Sequence, residues 1–185
     1  MKYYKKLEST RIYLSPVYKG DACLYAKWMN DEEIMRNLHI AQTMTNEETT
    51  IAMLDHIIQT KQPSFEMILK ENDLAIGSIA FTSLNALDQT ATIGMYIGEK
   101  EYRNCGYGTE ALHLMVQYGF NQLHLHNINL SVFSFNLSAI KCYKKVGFKE
   151  YGRRHECAFI DGKYYDRISM ELLVNEYQNH SLTKV

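Results

Sequence analysis

A glycine-rich loop between a strand pattern and a helix pattern is the feature of this sequence with the clearest chemical meaning. The loop reads Arg103-Asn104-Cys105-Gly106-Tyr107-Gly108 and runs into the helix through Thr109. Free N–H groups at the start of a helix and the helix dipole both favour an anion. Gly106 and Gly108 let the backbone approach a phosphate closely, and Arg103 adds a positive charge beside it. We therefore predict a phosphate site at residues 103–109.

Two other phosphate-binding motifs do not fit this loop. A P-loop requires a lysine before its serine or threonine, whereas Gly108 precedes Thr109. A dinucleotide-binding turn is followed about twenty residues later by an acidic residue, and the corresponding segment 130–132, Leu-Ser-Val, has none. An isolated G-x-G can also be only a tight turn, so a second motif is needed to decide.

That second motif lies further along the chain, at residues 136–148, which read N-L-S-A-I-K-C-Y-K-K-V-G-F. Asn136 and Tyr143 are two helical turns apart and are predicted to share one face of a helix. Together the two segments resemble the GNAT superfamily, whose motifs are Q/R-x-x-G-x-G/A and N-x-x-A-x-x-x-Y-x-x-x-G-F. With the stretch 148–166, the chain is similar to the branch that contains ribosomal-protein and polyamine N-acetyltransferases, and the resemblance runs from Arg11 to Leu173.

This resemblance implies an enzyme that transfers the acetyl group of acetyl-CoA to an amine. It also implies a GNAT-like mixed, mostly antiparallel twisted sheet flanked by helices, with acetyl-CoA where two strands splay apart. Residues 103–109 would hold the pyrophosphate, Asn136 the pantetheine arm, and Tyr143 would protonate the departing thiolate. Proton transfer from a phenol near pKa 10 to a thiolate near 8.5 costs only about 2 kcal/mol in water. A backbone N–H of Tyr96 or Ile97, freed by a bulge, would polarise the acetyl carbonyl.

The general base is where the sequence departs from the family pattern. Relatives often carry a glutamate in an A-E-x-G segment, where this chain has Ala91-Thr92-Ile93-Gly94. Deprotonating an amine of pKa near 10.4 at pH 7 costs about 4.6 kcal/mol, against about 1 kcal/mol for an α-amine. A low-pKa acceptor, or a water chain near Thr92, Ser131 and Glu66, would therefore serve. The predicted catalytic residues are Tyr143 and Glu66, and the predicted cofactor-binding residues are Tyr96, Ile97, Arg103, Asn104, Cys105, Gly106, Tyr107, Gly108, Thr109, Asn136, Ser138 and Tyr143.

Other reactive residues have simpler explanations. Cys105 could carry an acyl group, but its place in the pyrophosphate loop keeps it away from the thioester. His124 and His126 have no third ligand, which favours surface residues at a helix end over a metal site. Acidic residues at 31–33 and 47–48 would suit a cationic substrate, although acidic residues are favoured at helix starts in any case. Loss of the base would also allow a coenzyme A sensor without efficient turnover.

The element pattern predicts an α/β domain with a mixed sheet. Apolar alternation predicts strands at 11–17, 65–69, 74–84, 91–97 and 128–132, and helical spacing predicts helices at 21–29, 45–60, 106–121 and 136–146. Thr45 and Glu48 form a predicted capping box, and Gly147 closes the last helix. Asp161-Gly162 predicts a hairpin between 157–160 and 164–173. We expect one domain over 1–185, with its core at about 10–174 and a loose tail at 175–185.

Composition and charge narrow the partners. Twenty basic against twenty-one acidic residues give a formal charge of -1, which predicts no attraction to nucleic acid or to an anionic membrane. No apolar run is long enough for a membrane span and the first six residues lack a secretory pattern, so the cytoplasm is expected. Four dispersed cysteines indicate reduced thiols and no metal. The expected acceptor is a small-molecule amine or a peptide N-terminus, and a homodimer is one assembly that the resemblance implies.

Overall fold

The computed structural model describes residues 2–40 and 42–177, in which there are eight strands, five α-helices and two 3-10 helices, Lys19–Asp21 and Lys100–Tyr102. The strands are β1 (Leu7–Glu8), β2 (Ile12–Pro16), β3 (Ser64–Leu69), β4 (Ala75–Asn85), β5 (Thr90–Ile97), β6 (Asn127–Phe133), β7 (Lys149–Ile160) and β8 (Lys163–Leu173). The helices are α1 (Ala22–Met29), α2 (Glu32–Leu38), α3 (Glu47–Thr60), α4 (Tyr107–Asn121) and α5 (Leu137–Val146). Within the described ranges, none of these helices combines the length and apolarity that a membrane span requires.

The strands form one mixed sheet in the order β1-β2-β3-β4-β5-β6-β8-β7. The β5–β6 pair is parallel and joins residues 90–92 to residues 127–129. The pairs β1–β2, β2–β3, β3–β4, β6–β8 and β7–β8 are antiparallel. The predicted α/β class, with a mixed and mostly antiparallel sheet flanked by helices, is confirmed.

The chain divides into two compact units, and β4, β5 and α4 contribute residues to both. The first unit holds the residues up to Ala80 together with Met95–Ala111. Its core is built by apolar residues of the N-terminal segment, of α1 to α3 and of β2 to β4: Tyr3, Tyr13, Ala22, Tyr25, Trp28, Ile34, Leu54, Ile68 and Ala75. This unit contains the predicted phosphate loop and the start of α4.

The second unit holds Phe81–Gly94 and the residues from Leu112 onward. Its buried apolar side chains include Leu112 and Met115 on α4, Leu130 on β6 and Met170 on β8. A smaller cluster of Phe133, Ala158 and Ile160 lies at the β7–β8 hairpin. The prediction of one domain over the whole chain stays a prediction.

Most of the predicted elements are present, with boundaries within a few residues. Pro16 is the last residue of β2, as expected for a residue that cannot donate to the ladder. Gly147 closes α5 with φ 117°, and Asp161 and Gly162 both have positive φ in the turn between β7 and β8. These positions were predictable because each requires a backbone conformation that few residue types adopt.

Three details differ from the sequence prediction. Helix α2 was not predicted, and its N-cap is Asp31, whose carboxylate accepts from the Ile34 N–H. The capping box of α3 is formed by Asn46 and Thr49, so the predicted Thr45–Glu48 box is wrong by one residue. Strand β1 was too short to show alternation. Of the predicted loose tail at 175–185, residues 175–177 belong to a helical turn, while 178–185 lie outside the described residues.

Candidate cofactor site

The predicted phosphate loop connects the end of β5 to the first turn of α4. Asn104 and Gly106 adopt left-handed conformations with φ 60° and 87°, and the Glu110 N–H donates to the Gly106 carbonyl at 3.1 Å to start the helix. At position 106 the backbone itself therefore favours glycine. A Cβ added at Gly108 would meet the Met95 side chain at 3.6 Å, an ordinary contact, which fits a motif that accepts alanine there.

The start of α4 supplies the donors expected of an anion site. The first N–H groups of a helix have no carbonyl one turn earlier to bind, and at the start of α4 these are the N–H groups of Tyr107 and Gly108. The helix dipole adds a partial positive charge at the same end. Residues 106–108 can therefore hold a phosphate or diphosphate through the main chain.

The Arg103 guanidinium is bonded to other groups of the protein. Its side chain is only 12% exposed and forms ion pairs with Asp31 at 3.1 Å and with Glu33 at 2.6 Å. It also donates to the carbonyl oxygens of Ile97 at 3.1 Å and Gly98 at 2.8 Å. The charge that was predicted to meet the phosphate is thus balanced by two carboxylates, and Arg103 fastens the loop to the end of β5 and to α2.

Arg11 is a cation beside the loop that the sequence did not reveal. Its Nε donates to Glu110 at 2.9 Å, its Nη1 donates to the Cys105 carbonyl at 3.1 Å, and its guanidinium lies over the Tyr107 ring at 4.2 Å. Glu110 also accepts from the Ser9 hydroxyl and from the Arg11 N–H. The pKa of Glu110 is lowered because these hydrogen bonds and the Arg11 charge outweigh its partial burial. Arg11 is far from the loop in sequence, and no spacing rule could have found it.

The Cys105 thiol is directed at the carbonyls of its own loop. Its Sγ lies 3.4 Å from the Arg103 oxygen and 3.6 Å from the Glu101 oxygen. The side chain therefore helps to close the turn, which agrees with the preference for a structural role over an acyl carrier.

Glu66 lies on β3 and is fully buried in the first unit. Its side chain is 0% exposed, and its Oε1 accepts from the Tyr18 N–H at 2.9 Å. Among the described residues its Oε2 has no hydrogen-bond partner. The pKa of Glu66 is raised to about 8, mainly by burial and in part by the nearby Asp21 carboxylate, while the Tyr18 N–H and Lys2 act in the lowering direction. At pH 7 the carboxyl is therefore mostly protonated.

Polar groups surround Glu66 on the same face of the sheet. Ser78 is its partner across the β3–β4 register, and Ser15 is its partner across β2–β3. Burial raises the pKa of the Tyr25 and Tyr96 phenols. The Glu66 carboxyl acts in the same direction on both, and the Ser78 hydroxyl acts in the opposite direction. Glu66 is thus part of a buried polar cluster that reaches the half-buried Tyr96 near the end of β5.

The backbone departs from regular strand pairing just after the end of β5. The Gly98 N–H donates to the Ile76 carbonyl of β4 at 2.8 Å. The Glu99 N–H donates to the same Ile76 carbonyl at 3.2 Å, so the regular alternation of N–H groups stops after Ile97. A register shift occurs one strand away, at Met67/Ile68 in the β3–β4 pairing. The bulge that was expected on β5 itself stays a prediction.

The second unit contains Asn136, Ser138 and Tyr143. The Asn136 side chain is the N-cap of α5 and accepts from the Ala139 N–H and the Ser138 hydroxyl, both at 3.1 Å. Tyr143 is 8% exposed and its ring packs on Phe148 at 6.1 Å. Burial raises the pKa of Tyr143, so the phenol stays protonated at neutral pH. Asn136 lies just before the helix, and the prediction that it shares a helical face with Tyr143 did not anticipate its capping role.

Thr92 and Ser131 also lie in the second unit, whereas Glu66 lies in the first. The Thr92 hydroxyl donates to the Asn129 side-chain oxygen at 2.9 Å, and Ser131 is exposed on β6. Thr92 is thus occupied as a donor to Asn129. The predicted water chain through these residues stays a prediction.

The acidic segments are helix starts. Asp31 caps α2 with Glu32 and Glu33 in its first turn, and Glu47 and Glu48 form the first turn of α3. Asp31 also pairs with Lys100 and Arg103, which lowers its pKa against the effect of its partial burial. The structural alternative therefore accounts for these residues. Within residues 2–40 and 42–177, no group of three metal-ligating side chains comes together, and His124 and His126 belong to no such group.

Known proteins resemble this chain along most of its length. Residues 11–149 match the family described as "Acetyltransferase (GNAT) domain". A curated relative is the SPbeta prophage-derived uncharacterized N-acetyltransferase YokL of Bacillus subtilis, 28% identical over 155 residues, which cover 81% of this chain and 84% of the relative. Spermidine N(1)-acetyltransferase of Vibrio cholerae is 31% identical over 106 residues, which cover 57% of this chain and 61% of the relative. The crystal structure of spermidine N-acetyltransferase from Vibrio cholerae with CoA and spermine matches with TM-score 0.84 at 23% identity, covering 92% of this chain and 100% of the other.

Proposed function

This chain belongs to the GNAT acetyltransferase family and is an acetyl-CoA dependent N-acetyltransferase, and we propose that it acts by direct attack of a primary amine on acetyl-CoA in a ternary complex. The acceptor we propose is a small-molecule amine or a protein N-terminus. The amine nitrogen forms the new amide bond, the thioester C–S bond breaks, and coenzyme A leaves as a thiol. One proton leaves the amine and one reaches the sulfur, so the proposal needs a base and an acid.

The observation that carries this proposal is the loop that opens α4. Its left-handed Gly106 and the first N–H groups of the helix form a main-chain cradle for the diphosphate of coenzyme A. Gly108 of the cradle lies beside β5, since a Cβ at that position would stand 3.6 Å from the Met95 side chain. Ile97 is the last residue of β5, and the two N–H groups that follow it both donate to the Ile76 carbonyl. We propose that Ile97, rather than Tyr96, polarises the acetyl carbonyl. When bound, the cofactor supplies the activated thioester.

Tyr143 is the proposed acid. Its raised pKa keeps the phenol protonated, and its ring is held against Phe148. Burial that raises the pKa of a phenol acts in the same direction on a thiolate in the same surroundings. The difference between the pKa of the Tyr143 phenol and that of the coenzyme A thiol therefore stays close to its value in water. Proton transfer from the phenol to the thiolate then costs about 2 kcal/mol, as it does in water.

Glu66 is the proposed base, and its burial sets conditions on that role. No part of the side chain is exposed, so a proton from the acceptor must arrive through its polar neighbours, of which Ser78 faces it across the register. A pKa of about 8 makes the carboxyl a better proton acceptor than an ordinary glutamate once it is ionised. We expect the rate to rise with pH through the range near 8 and to depend on Glu66.

An acceptor screen at fixed acetyl-CoA tests the proposed function. The panel contains spermidine, spermine, an aminosugar and peptides with free or blocked N-termini, with release of free thiol as the signal and mass spectrometry to locate the acetyl group. The proposal is supported if a free amine is acetylated and the same compound with its amine blocked is not. Absence of thiol release with every amine, together with measurable binding of coenzyme A, would instead favour a sensor, the alternative suggested by Thr92 in the place of the usual glutamate. An unchanged pH-rate profile in Glu66→Gln would remove Glu66 from the mechanism.

A further inference from the structure

The loop needs a positive charge that Arg103 does not offer. All three guanidinium nitrogens of Arg103 already donate to carboxylate or carbonyl oxygens within the first unit. A diphosphate carries negative charge that main-chain N–H groups balance only in part. A cation near Gly106 with a free donor would complete the site.

Arg11 has that free donor. Its Nε is used by Glu110 and its Nη1 by the Cys105 carbonyl, while its Nη2 makes no hydrogen bond to any residue that the structure describes. The Nη2 atom lies 3.3 Å from the point where a Cβ of Gly106 would stand. The side chain is 45% exposed, so the free N–H groups are accessible to a ligand on the open side of Gly106.

We propose that Arg11 is a further cofactor-binding residue, whose Nη2 donates to an oxygen of the coenzyme A diphosphate at Gly106. This inference rests on the proposed function, since it assumes that the diphosphate lies at this loop. The guanidinium is held in place before the ligand arrives by Glu110, by the Cys105 carbonyl and by the Tyr107 ring. Little side-chain freedom is therefore lost on binding.

Glu110 has a positioning role in this arrangement. Its carboxylate is shared among the Ser9 hydroxyl, the Arg11 N–H and the Arg11 Nε. The fork of the guanidinium lets one edge face Glu110 while Nη2 faces Gly106, which a lysine could not do. Arg11→Lys would keep the charge but lose this division of donors.

The test compares Arg11→Gln, Arg11→Lys and Glu110→Gln with the wild type by calorimetry with coenzyme A. We expect Arg11→Gln to weaken binding tenfold or more, Arg11→Lys to fall between, and Glu110→Gln to weaken it less than fivefold because the Arg11 donor remains. Arg154→Gln, which removes an exposed arginine of β7, is the matched control and should bind normally. Thermal unfolding confirms that each variant is folded.

A second measurement separates ligand contact from loop structure. The KM for acetyl-CoA should rise in Arg11→Gln by at least five times more than the KM for S-acetylpantetheine, which lacks the diphosphate. Equal losses in Arg11→Gln and Glu110→Gln, or a KM rise that is the same for both thioesters, would overturn the proposal. A loss that disappears with 3′-dephospho-coenzyme A would also overturn it, since the partner would then be the 3′-phosphate. If wild-type protein fails to bind coenzyme A at this loop, the proposed function itself fails, whatever Arg11 does.

Discussion

Replacing Glu66 by glutamine should change how the stability of the protein depends on pH. The folded protein holds this carboxyl at a pKa of about 8, against an ordinary value of 4.5, chiefly because the side chain is buried. Asp21 acts in the same direction, whereas the Tyr18 N–H and Lys2 oppose it. Between the two pKa values the unfolded chain has lost the proton and the folded chain has kept it. The contribution of Glu66 to stability is therefore fully present below about pH 4.5 and is lost as the pH rises toward 8.

The size of this effect follows from the shift. Each pKa unit corresponds to 1.36 kcal/mol, so the full shift removes on the order of 5 kcal/mol of stability between pH 4.5 and pH 8. Glutamine has a similar shape, can accept the Tyr18 N–H and carries no charge at any pH. We expect Glu66→Gln to match the wild type near pH 5 and to exceed its free energy of unfolding by several kcal/mol at pH 8.5.

Urea unfolding of both proteins from pH 5 to pH 9 measures this difference, in which the contributions of groups that do not interact with Glu66 cancel. Glu48→Gln is the control, because Glu48 is exposed in the first turn of α3 and its loss should change stability by less than about 1 kcal/mol at every pH. Parallel curves for Glu66→Gln and the wild type across this range would refute the reasoning, since Glu66 would then have the same pKa in both states.

Two further predictions concern the acid and the loop. Tyr143→Phe should lower kcat by about 10²–10⁴-fold, because the proton donor is gone. The KM for acetyl-CoA should change little, because the ring still packs on Phe148. A kcat within threefold of the wild type in a thiol-release assay would contradict the role of Tyr143 as the acid. Gly106→Ala should cost about 1–2 kcal/mol of stability, because the φ of 87° at this residue is left-handed. The same variant should bind coenzyme A about tenfold more weakly, or worse, in calorimetry. Unchanged affinity would mean that the diphosphate binds elsewhere.

Local backbone requirements made much of the fold predictable from the sequence. Gly147 and Asp161-Gly162 mark positions with positive φ, and strand alternation marks most of the sheet. The sequence pattern did not predict helix α2, because its seven residues are too few for a clear helical period. Asp31 as an N-cap was a usable signal for its start. The α3 cap was misplaced because Thr45 and Asn46 are both good caps, and the choice between them depends on the tertiary path of the chain.

The candidate site was predictable only where its residues are close in sequence. Residues 103–109 and Asn136 with Tyr143 form local motifs, so their types and spacing could be compared with a family pattern. Arg11 and Glu110 are 99 residues apart in the chain and meet only in the folded structure, and no local rule contains that information. The neutral state of Glu66 is equally non-local, since it results from burial by residues of several elements.

The position of Arg103 explains why the family motif accepts either glutamine or arginine there. Glutamine cannot supply a fixed charge to a phosphate, but its side-chain NH2 can donate to the Ile97 and Gly98 carbonyls as Arg103 does. Arg103→Gln should therefore bind coenzyme A within about threefold of the wild type, while Arg103→Met, which has no donor, should lose stability by about 1–3 kcal/mol and weaken binding through a loosened loop. Calorimetry and urea unfolding of the pair measure both effects. A loss of affinity in Arg103→Gln as large as that in Arg103→Met would show that the charge of Arg103, and not its hydrogen bonds, serves the cofactor.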